Sequence, residues 1–303
     1  MSKIVVVGSS NTDMVIRSEH LPAPGETVLG GHFLMNPGGK GANQAVAASK
    51  LGGDVSFIAR VGDDLFGQQA IRGFEKYGIR IENVRLDEHN PSGVALIMVD
   101  DAGENSISVA LGANAALQQS DVDKAEAVIS QASYLLVQLE IPLLVVEYAI
   151  TLANAMNVPV ILNPAPAQRL SDKLLAGLHI ITPNETEAEI LTGQLVKDEE
   201  SARLSASVLH SKGVDIVIIT LGDKGAYVLS NQYDALIPSP SVASVDTTAA
   251  GDTFNGALVV ALSESMGLPE AITFANHAAA LSVTKEGAQA SIPSRSALEA
   301  FLT

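Results

Sequence analysis

The chain has 303 residues, 47% hydrophobic and 17% charged, enough apolar material for one large α/β domain or two smaller ones. Its 34 acidic against 18 basic residues, a formal charge of -16, argue against nucleic acid or an anionic membrane as partner. The absence of cysteine excludes disulfides, thiolate metal sites and a cysteine nucleophile, and 4% aromatics without tryptophan argue against a base-stacking platform.

The first run, KIVVVG, reads as a buried strand and is too short for a signal peptide; nothing else resembles a membrane span, so a cytoplasmic globular protein is expected. It ends in Gly8-Ser-Ser-Asn11, which is not the G-x-G-x-x-G dinucleotide fingerprint. From about 14 to 36, and again over 93–111, hairpin patterning replaces helices, the second pair of strands being joined by the turn Asp101-Ala-Gly-Glu104. These segments read either as extra edge strands of a main sheet or as a small separate sheet, serving as a lid or a dimer surface. VSFIARVG, YLLVQLE, VPVILNP, HIITPN and DIVIITLG continue the buried-strand pattern. Helical patterns cover 41–51, 65–77, 121–131, 143–156, 185–192, 199–212, 252–265 and 269–284. Such alternation predicts a doubly wound, mostly parallel sheet flanked by helices, as one domain over 1–303 with a β appendage.

Polar residues gather where these strands end: Asn11 and Asp13, Glu140, Asn163, Asn184 and Gly222. Open α/β sheets bind ligands at that edge. NPGGKGANQAVAASKLG places Lys40 between Gly39 and Gly41 ahead of an Ala-rich helix, with Asn43 one turn on. No Walker A is formed, since Gly41 follows Lys40 where Ser or Thr is required. A glycine turn before a tightly packed helix explains the glycines; contact with a bound hydroxyl or phosphate also explains the lysine. In TPNETEAEIL, Asn184 and Glu187 share a helix face, which suits either an N-capped helix or a water-bound Mg²⁺. TLGDKGAYV is a strand–turn–strand in which Gly222 and Gly225 would let a flat base or ribose approach the backbone.

DTTAAGDTFNGAL is a helix N-terminus, because Phe254, Ala257, Leu258, Ala261 and Leu262 form the stripe of a packed helix. Its small residues, Ala249, Ala250 and Gly251, bare a backbone that attracts anions. Asp252 is either an N-cap or a base beside an anion hole, and the two readings are compatible. The six histidines show no metal-ligand spacing, His277 reads as packed or solvated, and no G-x-S-x-G elbow occurs.

Together these stretches resemble the ribokinase family of sugar kinases, essentially from Lys3 to the C-terminus. NPGGKGANQAVAASKLG looks like the first family signature and DTTAAGDTFNGAL like the second; GSSNTD, LNPAP and ITPNETEAE are similar too. The resemblance implies Asp252 as general base toward a primary hydroxyl of the sugar, with Ala249, Ala250 and Gly251 as anion hole. It implies sugar contacts from Asn11, Asp13, Gly39, Lys40, Asn43 and Glu140. ATP would lie among Asn184, Thr220, Gly222, Gly225, Gly251 and Asn276, with Mg²⁺ near Asn184 and Glu187, through water. Asp246, Thr248, Ser282, Lys285, Gly287 and Ser291 match positions that hold an activating K⁺, mainly by backbone carbonyls. Phosphorylation of D-ribose at its 5-hydroxyl, and a homodimer through a β lid, are what the resemblance leads one to expect. A related sugar or nucleoside kinase, such as a deoxyribokinase, is the alternative; a non-catalytic sugar-binding regulator would be expected to have lost Asp252 or Gly251, and both are present.

Overall fold

Lys3–Val7 (β1) shows why the sheet is central: Ile4, Val5, Val6 and Val7 are each 0% exposed. Alternation along the strand sends Val5 and Val7 into one apolar cluster and Ile4 and Val6 into another, on the opposite face. A strand covered on both faces must be apolar throughout, as KIVVV nearly is. The computed structural model describes residues 3–29 and 31–302. Met1, Ser2 and Thr303, at the ends of the expected domain, and Gly30, inside the expected 14–36 segment, lie outside the described residues.

In chain order the next strands are Asn11–Arg17 (β2), His32–Gly38 (β3), Asp54–Gly62 (β4), Val84–Asp87 (β5), Gly93–Val99 (β6) and Asn105–Ala110 (β7). Tyr134–Val137 (β8), Val160–Leu162 (β9), Ile180–Ile181 (β10), Ile216–Thr220 (β11), Ala226–Leu229 (β12) and Asp234–Ile237 (β13) complete them. Among the described residues, nine form one sheet in the order β13-β12-β11-β10-β9-β8-β1-β4-β5. It is parallel from β11 to β5, and the pairings β11–β12 and β12–β13 are antiparallel, so β12 alone runs against the rest. Helices Leu143–Ala155 and Glu199–Ser211 cover one face, and Lys40–Lys50, Ala250–Ser263 and Leu268–Ser282 the other. The chain runs outward from β1 to β4 and β5, then returns to β8 on β1's other side. That reversal opens a crevice at the carboxyl ends of β1 and β8, where ligands bind in such sheets.

The hairpin segments form a separate four-stranded sheet, β3-β2-β6-β7, and not edge strands of the main one. It leaves the core through Ser9–Ser10 and returns through Gly39, whose φ of 89° puts it in the region that favours glycine. A Cβ there would stand 2.6 Å from the Asn11 backbone nitrogen, so close approach and backbone angle both demand glycine. Register puts Asp13 beside Asn36 and Ala95, on the same face as Asn11. On the other face Ile16, Phe33, Met35 and Leu96 are 44–60% exposed.

Other differences from the sequence reading are local. The pattern at 121–131 becomes two short helices, Gln119–Asp123 and Glu126–Ile129, and Asp121 in the first of them makes a buried ion pair with Arg60 at 3.2 Å. HIITPN yields only Ile180–Ile181 as strand, since the chain then turns into a helix at Asn184. Asp252 is not an N-cap. Ala249 holds that position, and the helix runs Ala250–Ser263 with Asp252 third in its first turn.

Candidate active site

Two helices meet over the crevice because one of them carries a glycine at the crossing. A Cβ on Gly256 would lie 2.5 Å from the Cβ of Ala47, so Lys40–Lys50 and Ala250–Ser263 pack at backbone distance. That closeness brings Asn43 and Gln44 to Asp252, which is 7% exposed. Asn43 Nδ2 donates to Asp252 Oδ2 and Gln44 Nε2 to Asp252 Oδ1, both at 2.9 Å. The carboxylate is thereby gripped at both oxygens by neutral donors. Asn43 was expected to meet the sugar; its oxygen accepts from Gln289 at 3.2 Å and one of its N–H groups is committed to Asp252. It therefore orients the acid before it can meet anything else.

The turn before this helix is bent for close approach. Ala249 adopts φ 60° and ψ 16°, a left-handed conformation that costs an alanine about 1–2 kcal/mol. Ala250 N donates to Thr247 O at 3.2 Å, so this expected anion-hole donor is already partnered. Among the described residues, no acceptor meets the N–H groups of Gly251 and Asp252. Those two, at the positive end of a 14-residue helix, and Ala249 N, which likewise meets no acceptor among the described residues, are the open donors for an anion.

Thirteen residues line a cavity of about 220 Å³ here, among them Lys40, Asn184, Glu187, Gly251 and Asp252. It adjoins a larger one of about 440 Å³ that Asn184, Thr220, Gly222, Gly225, Gly251 and Asn276 all line, which is the full set expected around the nucleotide. The two share Asn184, Thr220, Thr247, Ala250 and Gly251, so the open N–H groups stand where they meet. Asn276 Nδ2 is held by the carbonyls of Ile237 at 3.0 Å and Pro238 at 3.3 Å, which fixes the amide's direction in the wall.

On the lid side, Glu140 Oε2 accepts from the Ser9 hydroxyl, from Lys40 N at 3.1 Å and from Asn11 Nδ2 at 3.4 Å. Asn11 Oδ1 in turn accepts from Asn114 at 2.8 Å. Burial, with Glu140 and Asp252 nearby, pushes the Asp13 carboxyl up to about 7, although Lys40 opposes it. Burial pulls the Lys40 ammonium down, but Asp252, Glu140, Glu187 and Asp13 together outweigh it and hold it above its ordinary range. A cation thus has four carboxylates near it, which together offer acceptors and a donor to a neutral polyhydroxyl ligand.

Asn184 and Glu187 form a reciprocal capping box: Glu187 N donates to Asn184 Oδ1 at 2.8 Å and Asn184 N to Glu187 Oε2 at 2.9 Å. The plain reading of this pair is therefore realised, and the carboxylate is still part of the cavity wall. Burial raises Glu187 above its usual range, with the Asn184 N–H and Lys40 only partly offsetting it. Among the described residues, no cluster of three His, Cys, Asp or Glu could hold a metal. One buried carboxylate beside the open N–H groups fits a Mg²⁺ held chiefly by water and phosphate oxygens.

Of the predicted cation residues, Thr248 and Gly287 bond to Asp246. Its Oδ1 accepts from Thr248 N at 2.9 Å and Thr248 Oγ1 at 2.6 Å, and its Oδ2 from Gly287 N at 2.9 Å. Burial would raise this carboxyl, but these hydrogen bonds hold it below the usual range. Val245 N and Asp246 N both reach Val283 O, and Lys285 N reaches Ser282 O at 3.3 Å. The hydroxyls of Ser282 and Ser291 turn back to Ala279 O and Ala288 O, so any contribution from them falls to backbone carbonyls. His277 packs against Phe301 and takes no part.

Sequence reasoning passed over Gln44, Gln138, Asn114 and Gln289. The available signal was an adjacent Asn43-Gln44 pair in an otherwise alanine-rich helix that is buried from Gly41 to Ala48. Long-range partners are not visible in such a signal.

A helix end with open N–H groups, a gripped carboxylate beside it and two adjoining cavities are the parts that phosphoryl transfer requires. The chain matches pfkB family carbohydrate kinase over residues 1–295, and it belongs to that family. It is 49% identical to a ribokinase of Haemophilus influenzae, covering 99% of this chain and 98% of that one. A deoxyribokinase of Salmonella typhi is 38% identical over 99% of this chain and 98% of its own length. The structure of Arabidopsis thaliana ribokinase complexed with ribose and ATP superposes with a TM-score of 0.93 at 33% identity, covering 100% and 99% of the two chains. No helix of the described residues is long and apolar enough to cross a membrane.

Proposed function

We propose that the chain is an ATP-dependent kinase of D-ribose, acting in the cytoplasm as a single α/β domain whose second sheet is a lid. The observation that carries this reading is Asp252, buried and gripped at both oxygens, one residue beyond an open helix N–H at the junction of two cavities. Ribose would lie under the lid among Asn11, Asp13, Gly39, Lys40, Asn43 and Glu140, with its 5-hydroxyl toward Asp252. The nucleotide would fill the larger cavity, its γ-phosphate against the N–H groups of Gly251 and Asp252.

Transfer then needs little covalent chemistry from the protein. As O5 forms its bond to the γ-phosphorus, the bond to the β–γ bridging oxygen breaks and ADP leaves. Asp252 accepts the hydroxyl proton and later returns it to solvent. The N–H groups of Gly251 and Asp252 and the ammonium of Lys40 stabilise the charge on the transferred group. Mg²⁺, when bound near Asn184 and Glu187, neutralises phosphate charge. K⁺, when bound by the loop around Asp246 and carbonyls of 282–291, stiffens the turn that leads into the anion hole. Apolar side chains on the lid's outer face favour a homodimer through that sheet.

The higher identity to a ribokinase favours ribose over 2-deoxyribose. The test is ADP release from ATP with Mg²⁺ and K⁺, comparing ribose, 2-deoxyribose, fructose and adenosine. Preference for ribose by kcat/KM is the expected outcome. Turnover confined to another acceptor would overturn the substrate assignment, and none on any of them would overturn the kinase reading.

A further inference from the structure

The grip on Asp252 does not end at Asn43 and Gln44. Gln44 is 0% exposed, as is Gln138, and Gln138 Nε2 donates to Gln44 Oε1 at 2.6 Å. The other N–H of Gln44 Nε2 donates to Asn163 Oδ1 at 3.0 Å. Asn163 Nδ2 finally donates to the backbone carbonyl of Thr182 at 3.2 Å.

A backbone carbonyl can only accept, so this last bond sets the polarity of the whole chain of amides. Asn163 must present its oxygen to Gln44. Gln44 must therefore present its nitrogen to Asn163 and Asp252, and its oxygen to Gln138. An amide that would otherwise flip freely is locked with both N–H groups facing Asn163 and the acid. Among these four linked groups, Gln44, Asn163, Gln138 and Asp252, the Gln138 oxygen is left buried without a partner. A buried unpaired acceptor costs about 1–3 kcal/mol, which is hard to explain by packing alone.

We infer that Gln44, with its direction set by Asn163 and Gln138, is a positioning residue for phosphoryl transfer: it fixes the plane of Asp252 so that one oxygen faces the acceptor hydroxyl. This rests on the kinase reading above. Gln44 lies behind Asp252 in the packed helix pair and does not touch the sugar on this account. Its effect should fall on the rate of the transfer step and not on sugar binding. Misplacing a reacting group by about 1 Å can cost on the order of 100-fold in rate.

The experiment compares wild type, Gln44→Met, Asp252→Asn and the double variant, with Gln138→Met as a milder partner that leaves Gln44 in place. Gln44→Met keeps the length of the side chain and removes the donor. It should lower kcat by roughly 10- to 100-fold with the sugar KM unchanged. Gln138→Met should lower kcat in the same direction but less. In the Asp252→Asn background, Gln44→Met should change kcat no further, because the group it positions is gone. A merely structural role would multiply the two losses and move KM, and that result overturns the inference. So does wild-type kcat in Gln44→Met, or, if that variant fails to fold, wild-type kcat in Gln138→Met. Absence of turnover by the wild type on every acceptor would instead sink the kinase reading, and this inference with it.

Discussion

Asp252→Asn should separate binding from chemistry, and its size can be worked out from the bonds around the side chain. Removing a positioned base costs on the order of 10²–10⁴ in rate, about 3–5 kcal/mol of transition-state stabilisation. Asparagine keeps the shape but turns one acceptor into a donor. Gln44 cannot turn to meet it, because its direction is set through Asn163 by the Thr182 carbonyl. The new amide must therefore give its oxygen to Gln44 and its nitrogen to Asn43. That leaves Nδ2 of Asn43 facing a donor, unless Asn43 and Gln289 flip together. Without the flip, the facing donors should cost about 1–3 kcal/mol of stability; the joint flip removes that cost. The assay is steady-state ADP release with ribose, beside calorimetric Kd for ribose and a thermal melt. We expect kcat down by the stated factor, ribose Kd within a few-fold and a lowered Tm. A kcat within tenfold of wild type would refute Asp252 as the base. A large loss of kcat with an unchanged Tm would keep the base and show that Asn43 and Gln289 have flipped together.

Two further outcomes test the edges of the site. Asp13 is raised to about 7 in the folded protein from an ordinary 3.8, so between about pH 4 and 7 the unfolded chain loses this proton first. Folding stability from this group therefore falls as pH rises through that window and is flat above it. A sugar hydroxyl donating to Asp13 binds the ionised form, so calorimetric ribose affinity should weaken about tenfold per pH unit below 7, and a flat profile from pH 5.5 to 8.5 would count against the contact. Asp246→Ala removes the acceptor that ties Thr248 to Gly287, and should raise the K⁺ concentration for half-activation by roughly 10- to 100-fold while ribose Kd holds; unchanged K⁺ dependence would remove that loop as the cation site.

What could be read from the sequence and what could not divide along a physical line. Strands covered on both faces announce themselves as apolar runs, so β1, β4, β8, β9 and β11 were legible. Strands β5 and β13 were not, because each has four residues, two of them exposed, and sits at an edge of the sheet. Helix starts carry local chemistry: the Asn184–Glu187 capping box and the small residues before Asp252 are signals three or four residues long. Even there, one position mattered. The spacing of the apolar stripe fitted a helix beginning at 252, and Ala249 in a left-handed conformation moved the start back and made Asp252 a first-turn residue.

The groups that hold the acid are of another kind. Gln44 meets Gln138 across 94 residues of chain, Asn163 across 119 and Asp252 across 208. No local pattern reports such partners, since an amide in a buried helix looks alike whether it points at a carboxylate or a carbonyl. What the sequence does contain is the anomaly. Two adjacent amides in the stretch GANQAVAA, which is otherwise small and apolar, must either be satisfied or cost several kcal/mol together. Gln44 is satisfied by three other elements at once: the ends of β8 and β9, and the helix bearing Asp252. A side chain that joins so many elements in one fixed direction makes the placement of the acid a property of the whole sheet edge. The loop alone, however well its motif is recognised, does not specify it.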